Sequence, residues 1–424
     1  MTNTPEHNWA GNVVYGATTI HRPTTVAQLQ EIVAGSSKLR VLGSRHSFNT
    51  IADCAGDLIS LEHFDNTISI DQERHTVTVN GGITYGQLAL QLHRAGYALH
   101  NMASLPHISV AGAIATATHG SGDGNGNLAT AVTALEIVKA NGDVVVLSRE
   151  QHGEEFPGAI VGLGGLGVVT KVTLKLEPAF AMQQEVYENL PVVQLEAHFD
   201  QITSSAYSVS LFTDWHGETV NEVWLKRRLP SESGIGVTPT FFDATHAQKD
   251  VHPVLRLSAE PCTPQMGVSG PWNDRLPHFK IDHVPASGDE VQTEYFVPRQ
   301  HAIAAMRALA GLRDHMTKLL WTSEVRTIAA DTLWMSPCYG QAGVGLHFSW
   351  HRDLPAVEKL LPIIEAALAP FEARPHWGKL FTMSPSRVQS LYKKMPDFRE
   401  LLRAYDPQGK FRNAFLDAYV FGVD

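Results

Sequence analysis

Residues 131–150 read AVTALEIVKANGDVVVLSRE. Two β-branched, alternating runs flank the pair Asn141-Gly142, and Asn-Gly accepts the positive φ angles that a tight antiparallel turn demands. The segment predicts a β-hairpin. Further short strands are predicted nearby in LRVLG, LISLEHF, TISID and HTVTVNGG, and in VVTKVTLKLEP, which Pro178 stops. HRPTTVAQLQEIVAG predicts a helix with Thr24 or Thr25 as its cap and Gly35 as its stop. TYGQLALQLHRAGYAL predicts another, with Leu88, Leu92 and Ala95 on one face and Gly96 at its end. Residues 1 to about 180 therefore read as an α+β unit dense in glycine.

The texture changes after that point. Strands such as SVSLFTDW, EVWLKRRL and VQTEYFV alternate with longer amphipathic helices such as PAVEKLLPIIEAALAPF, while 228–290, rich in Pro, Gly, Ser and Asp, predicts a long loop. A chain of 424 residues suits two domains. With 33 Lys and Arg against 43 Asp and Glu the net charge is −10, which disfavours nucleic acid and anionic membranes as partners. Cys54, Cys262 and Cys338 are odd in number and widely spaced, so free thiols in a reducing compartment are expected. MTNTPEHNWAGN has neither the basic nor the apolar region of a signal peptide. No run approaches the 18 apolar residues or so that would span a bilayer. A cytoplasmic monomer is the expectation.

Two glycine- and hydroxyl-rich stretches carry the first chemical signal. In VLGSRHSFN, residues 41–49, Gly43 and Ser44 let successive backbone N–H groups converge on an anion. In ASLPHISVAGAIATATHGSG, residues 103–122, the small Ser109, Gly112, Thr116, Thr118 and Gly120 let a backbone approach a phosphate-bearing ligand closely. Two such segments suit a large dinucleotide held at several points. GLGGLG at 162–167 matches a GxGxxG pattern, but it leads into the strand VVTKVTLKL rather than a helix, so a nicotinamide cofactor is not expected there.

GSRHS, ASLPHISVAGAIATATHGSG and GAIVGLGGLGVVTKVTL together resemble the FAD-binding domain of the vanillyl-alcohol-oxidase superfamily. With AYSVSLFTDW, SEVRTIAAD and ARPHWGK in the second half, nearly the whole chain resembles the alditol oxidases, close kin of the aldonolactone oxidoreductases. The resemblance implies an α+β chain of three parts. Residues 1–178 would bind FAD, 179–375 would form a substrate-binding cap built on an antiparallel sheet, and 376–424 would return to the FAD domain. It implies that FAD is bonded covalently to His46, the histidine of GxxHS. It also implies cofactor contacts from Val41, Gly43, Ser44, Arg45 and Ser47, from Ser104, Ser109, Gly112, Ala113, Thr116, Thr118 and His119, and from Val169 and His376. Arg45 departs from the family, where many relatives carry glycine.

Strand alternation separates the two faces of the second-half strands. In LWTSEVRTIA it sets Thr322, Glu324 and Arg326 opposite Trp321, Ser323, Val325 and Thr327; in VGLHFSW it pairs His347 with Ser349. By pattern alone these are equally the solvated faces of amphipathic strands. The resemblance makes Glu324, Arg326 and Lys379 the catalytic trio and adds Ser104, His347 and Ser349 as substrate contacts. The implied reaction oxidises a terminal hydroxyl of a polyol such as xylitol or sorbitol, with O2 reduced to H2O2. An aldonolactone oxidase or dehydrogenase is the alternative. Ala103 lies in the stretch expected beside the reactive edge of the flavin. No metal is expected, since no HExxH-like spacing occurs, and no GxSxG supports a hydrolase.

Overall fold

The computed structural model describes residues 6–230, 236–283 and 289–423. Local signals are obeyed where they are strong. Helix Val26–Gly35 begins at Thr25, whose side chain accepts the Gln28 N–H, and buries Leu29 and Val33. Helix Tyr85–Arg94 begins with a reciprocal capping box between Thr84 and Gln87 and buries Leu88 and Leu92. Strands Val132–Val138 and Val144–Ser148 pair antiparallel around the Asn-Gly turn, where Gly142 takes φ +86°.

That hairpin forms one edge of a five-stranded antiparallel sheet, in the order Ser69–Asp71, Thr76–Asn80, Val168–Lys175, Val132–Val138, Val144–Ser148. A small parallel sheet of Thr19–His21, Asp57–Ile59 and Leu39–Val41 stands beside it. GLGGLG is a turn that feeds the strand Val168–Lys175, with no helix after it. Its Leu163 and Gly164 carbonyls receive the buried Arg40 guanidinium, each at 2.8 Å.

Residues 181–375 contribute a ten-stranded antiparallel sheet among the described residues. Its centre runs Ala181–Pro191, Thr219–Arg228, Ser208–Thr213, Leu320–Ile328, Gly343–His351, Glu290–Pro298. The strands Leu320–Ile328, Gly343–His351 and Glu290–Pro298 are buried on both faces for most of their length. One face carries Val291, Tyr295, Val325, Leu346 and Phe348 into the main core, together with helices Ala302–Ala310 and Leu354–Leu368. Tyr295 donates to Glu365 of the second helix at 2.9 Å. The opposite face is polar yet also buried, so the solvated-face reading fails.

Two sequence expectations need correction. The stretch 228–290 is more than a loop. Thr240–Phe241, Ala244–His246 and Gly270–Pro271 add edge strands to the large sheet, although 231–235 and 284–288 lie outside the described residues. Trp321 was set opposite Thr322 and Glu324 by strict alternation. A β-bulge between Leu320 and Thr322 breaks that alternation, and Trp321 faces the same cavity as they do.

The last residues bind the chain back onto its beginning. Asn413 donates to the carbonyls of Thr50, Ile51 and Asp53 at 3.1, 3.1 and 2.8 Å, and the Leu39 N–H donates to the Lys410 carbonyl. Cys54, Cys262 and Cys338 are buried and unpaired. No helix among the described residues is long and apolar enough to cross a membrane.

Arg40 joins four segments: it donates to Gly164 and Phe411 at 2.8 and 3.0 Å, to Leu163, and to Ile51. Arg40→Met would leave the Leu163, Gly164 and Phe411 carbonyls without that donor, Ile51 keeping Asn413. At about 1–3 kcal/mol for each stranded group that relaxation cannot rescue, the loss should reach at least about 3 kcal/mol. Urea denaturation monitored by tryptophan fluorescence checks it; an unchanged midpoint excludes the role.

Candidate active site

A cavity of about 540 Å³ lies between the glycine-rich loops of the first 180 residues and the polar face of the large sheet. On the loop side, residues 41–48 follow the strand Leu39–Val41. The loop and residues 103–119 grip each other. The Ser109 N–H donates to Ser44 Oγ at 3.0 Å, and the Ser44 N–H donates to Ser109 Oγ at 3.3 Å. A Cβ on Gly43 or Gly112 would stand 2.6 or 2.7 Å from that Ser109 oxygen, so only glycine leaves the bare backbone wall.

Arg45 sits at φ +64°, which explains why glycine suits this position. Its guanidinium pairs with Glu6, which also receives Arg22 at 3.1 Å, so the Arg45 charge is turned to a carboxylate of its own chain. His46 stacks on Trp9 at 5.4 Å. Its Nδ1 lies 2.9 Å from the Ser44 carbonyl, an acceptor only, so Nδ1 carries the hydrogen and Nε2 keeps its lone pair. Burial lowers its pKa to about 4, so the ring is neutral at pH 7. A neutral imidazole with an open lone pair is a competent nucleophile.

The sheet side is ordered by register. Glu324 and Glu294 flank His347 on adjacent strands, and Thr322 and Gln292 flank Ser349 one rung further along. Arg326 joins the first rung: Nη2 donates to Glu294 Oε1 at 2.8 Å, Nε lies 3.4 Å from Glu324 Oε2, and Nη1 donates to Ser104 Oγ at 3.3 Å. His119 places Nε2 3.1 Å from the same Glu294 oxygen. Ser349 Oγ and His347 Nε2 lie 3.3 Å apart. Lys379 arrives from the turn after Arg374–Pro375, donates to Gln292 and stands 4.8 Å over the Phe48 ring.

Burial by itself would raise both glutamates. For Glu324 the Arg326 charge, with the His278 contact behind it, outweighs burial and holds the carboxylate well below its usual range. For Glu294 the His119 and Arg326 contacts do the same. Burial lowers His376 to about 3 and Lys379 to about 8. His119, Glu294 and His376 could bring ligand atoms within 4.8 Å of one another. The guanidinium of Arg326 already holds the Glu294 oxygen of that trio, which leaves a cation little reason to bind.

Of the residues singled out from sequence, Val41, Gly43, Ser44, Arg45, His46, Ser47, Ala103, Ser104, Ser109, Gly112, Ala113, Thr116, Thr118, His119, Glu324, Arg326, His347, Ser349, His376 and Lys379 all line this cavity. Val169 does not. It stands opposite Ile137 in the five-stranded sheet and packs on the core. Sequence reasoning missed Gln292, Glu294 and His278. Alternation in VQTEYFV would have paired Gln292 with Glu294; nothing periodic marks His278.

The cradle fits a flat, phosphate-bearing cofactor, because bare glycine backbone stands where a Cβ would fill the space. Comparisons with known proteins agree. Residues 17–148 match the FAD binding domain family, and 288–419 match the D-arabinono-1,4-lactone oxidase family. An alditol oxidase from a Streptomyces species is 46% identical, over 96% of this chain and 97% of its own length. L-gulonolactone oxidase from Mus musculus is 26% identical over 97% of both chains. L-gulono-1,4-lactone dehydrogenase from Mycobacterium tuberculosis is 27% identical over 96% of this chain and 97% of its own. In fold, cholesterol oxidase from B. sterolicum is similar with a TM-score of 0.77, covering 98% of this chain and 96% of that one at 14% identity.

Fold and cradle together define an FAD-dependent oxidoreductase. The chain belongs to the alditol oxidase family, within the vanillyl-alcohol-oxidase and aldonolactone oxidoreductase superfamily.

Lys379 loses its charge as pH rises through about 8. Ligand binding that needs the ammonium should therefore weaken on the alkaline side near that pH. Lys379→Arg, whose guanidinium does not titrate in this range, should abolish that limb. A limb that persists in the arginine variant assigns it to another group.

Proposed function

We propose that the enzyme oxidises a terminal hydroxyl of an alditol such as xylitol or sorbitol to the aldose, reducing O2 to H2O2. The observation that carries this reading is the pair of polar rungs, Glu324–His347–Glu294 and Thr322–Ser349–Gln292, buried at the cavity floor. Successive hydroxyls of a polyol chain match such a run of donors and acceptors, and an apolar substrate would strand them. The 46% identity to an alditol oxidase supports the same choice. Residues 1–178 then hold FAD, 179–375 supply most of the substrate wall, and 376–424 return Lys379 to it. The buried free cysteines are consistent with a cytoplasmic enzyme.

Residues 41–47, 103–119 and His376 would hold the cofactor. Bound FAD supplies an acceptor for the hydride leaving the substrate C–H. The chain must orient the alcohol and manage its proton. An alcohol is about as weak an acid as water, with a pKa of roughly 15.7. Even against an ordinary carboxylate near 4.3 the mismatch is about 11 units, or on the order of 15 kcal/mol for a free alkoxide at 1.36 kcal/mol per unit, and Glu324 is held lower still. Glu324 cannot meet that as a base alone, so the proton leaves the oxygen as the C–H bond breaks. Glu324 accepts it, while Arg326 and Lys379 stabilise the negative charge developing on that oxygen. Ser104 and Ser349 orient the remaining hydroxyls.

His46 is the proposed site of covalent attachment, through a neutral ring held by Ser44 and Trp9. Acid precipitation should leave the yellow fluorescence with the protein pellet, whereas His46→Ala should release it to the supernatant. Flavin released from the wild type excludes the bond.

A second reading, an aldonolactone oxidase or dehydrogenase, is favoured by the family match over 288–419. A panel of xylitol, sorbitol and γ-lactones with peroxide detection separates the two. Peroxide from the polyols is expected. Turnover confined to lactones overturns the proposal, and a flavin bleached anaerobically by xylitol that stays bleached in air identifies a dehydrogenase.

A further inference from the structure

The structure assigns to His278, braced by Lys226, the positioning of the Glu324 carboxylate, an inference that rests on the role given to Glu324 above. His278 is not on the sheet; it comes from the long segment between the strands Thr219–Arg228 and Glu290–Pro298. It is 5% exposed, and its Nε2 lies 2.8 Å from Glu324 Oε1. A carboxylate only accepts, so Nε2 carries the hydrogen and donates it. The other nitrogen, Nδ1, is buried with no hydrogen-bond partner. The ring sits edge-on to Trp224 at 5.2 Å and to Phe212 at 5.6 Å. Protonation would bury a second N–H without an acceptor, which is costly. The ring is thereby held neutral and in one tautomer, in keeping with a pKa that burial and then the Lys226 charge lower to about 4.

Two further contacts hold the ring in place. Lys226 is buried on the strand Thr219–Arg228, and its ammonium donates to the carbonyls of Arg275, Leu276 and Pro277 at 2.8, 2.7 and 2.8 Å. Those three residues directly precede His278. The His278 N–H donates to the Ser104 carbonyl at 3.1 Å, and the Ser104 hydroxyl receives Arg326. One loop residue therefore links the wall proposed to hold the cofactor to the strand that carries Glu324. With Oε1 taken by His278 and Oε2 facing Arg326, the lone pairs left for a substrate hydroxyl have a set direction. His278 offers the substrate no free donor, so it acts through Glu324 rather than on the reacting atoms.

The test compares His278→Gln with His278→Asn. Both are neutral amides. The glutamine nitrogen reaches about as far as Nε2, and the asparagine nitrogen stops short of Glu324. Misplacing Glu324 in the asparagine variant should lower kcat by about a hundredfold while KM changes little. The glutamine variant should stay within about tenfold of wild type. In the Glu324→Gln background, His278→Asn should cost no more than about twofold further, because the two act as one unit. Equal losses in both variants, additive losses in that background, or an effect confined to KM overturn the inference. So does loss of bound FAD from both variants, which would make the residue structural. The comparison uses whichever substrate the wild type oxidises, so inactivity on polyols overturns the proposed function without touching this result.

Discussion

The site depends on one buried ionic arrangement. Arg326 sits between Glu294 and Glu324, all three less than a tenth exposed, with His119, His278 and His347 closing the remaining directions. Charges this far from water are tolerable only when paired and hydrogen-bonded, and removing one partner of a buried pair commonly costs about 3–5 kcal/mol. His278 adds a neutral ring that donates to Glu324 without adding charge. The same low-dielectric setting that makes the cluster expensive makes its dipoles strong and fixed, which suits stabilising charge on a substrate oxygen.

The surrounding architecture follows from protecting that cluster on both sides. The three central strands carry apolar side chains towards helices Ala302–Ala310 and Leu354–Leu368 and polar ones towards the cavity. A sheet with a wet outer face could not hold Arg326 this deeply. The cavity is lined opposite the sheet by the glycine-rich loops, and also by residues from the 252–261 segment and the turn bearing Lys379. Phe48 and Asn49 fasten that turn: the Phe48 N–H donates to the Gly378 carbonyl at 2.8 Å, and Asn49 donates to the Trp377 and Lys379 carbonyls at 2.8 and 2.7 Å. The end of the chain is thus tied to the loop of His46.

How much of this was legible depended on the range of the cause. The hairpin at Asn141-Gly142, the cap at Thr25 and the strand after GLGGLG are local, decided by residues within a turn of each other, and all appear as read. Glu324, Arg326, His347 and Ser349 were legible as faces by alternation; that the face is a cavity wall was implied only by resemblance. Trp321 defeated alternation because a single bulge shifts the register. Val169 was carried over by resemblance, yet its strand turns it to the core. His278 left no trace at all, since its importance lies in an oxygen 46 residues away.

By itself the sequence determined the short-range elements, the glycine positions where backbone must come close, the alternating polar faces, and through its motifs the family. Tertiary structure alone decided which polar faces meet, that Gln292 and Glu294 share rungs with Ser349 and His347, that Arg45 pairs with Glu6, and that Lys226 holds the carbonyls before His278 while His278 reaches Glu324. The division has a physical reason. Turn, cap and strand preferences are free energies of neighbouring residues, whereas ion pairing and burial belong to groups brought together only when distant segments pack.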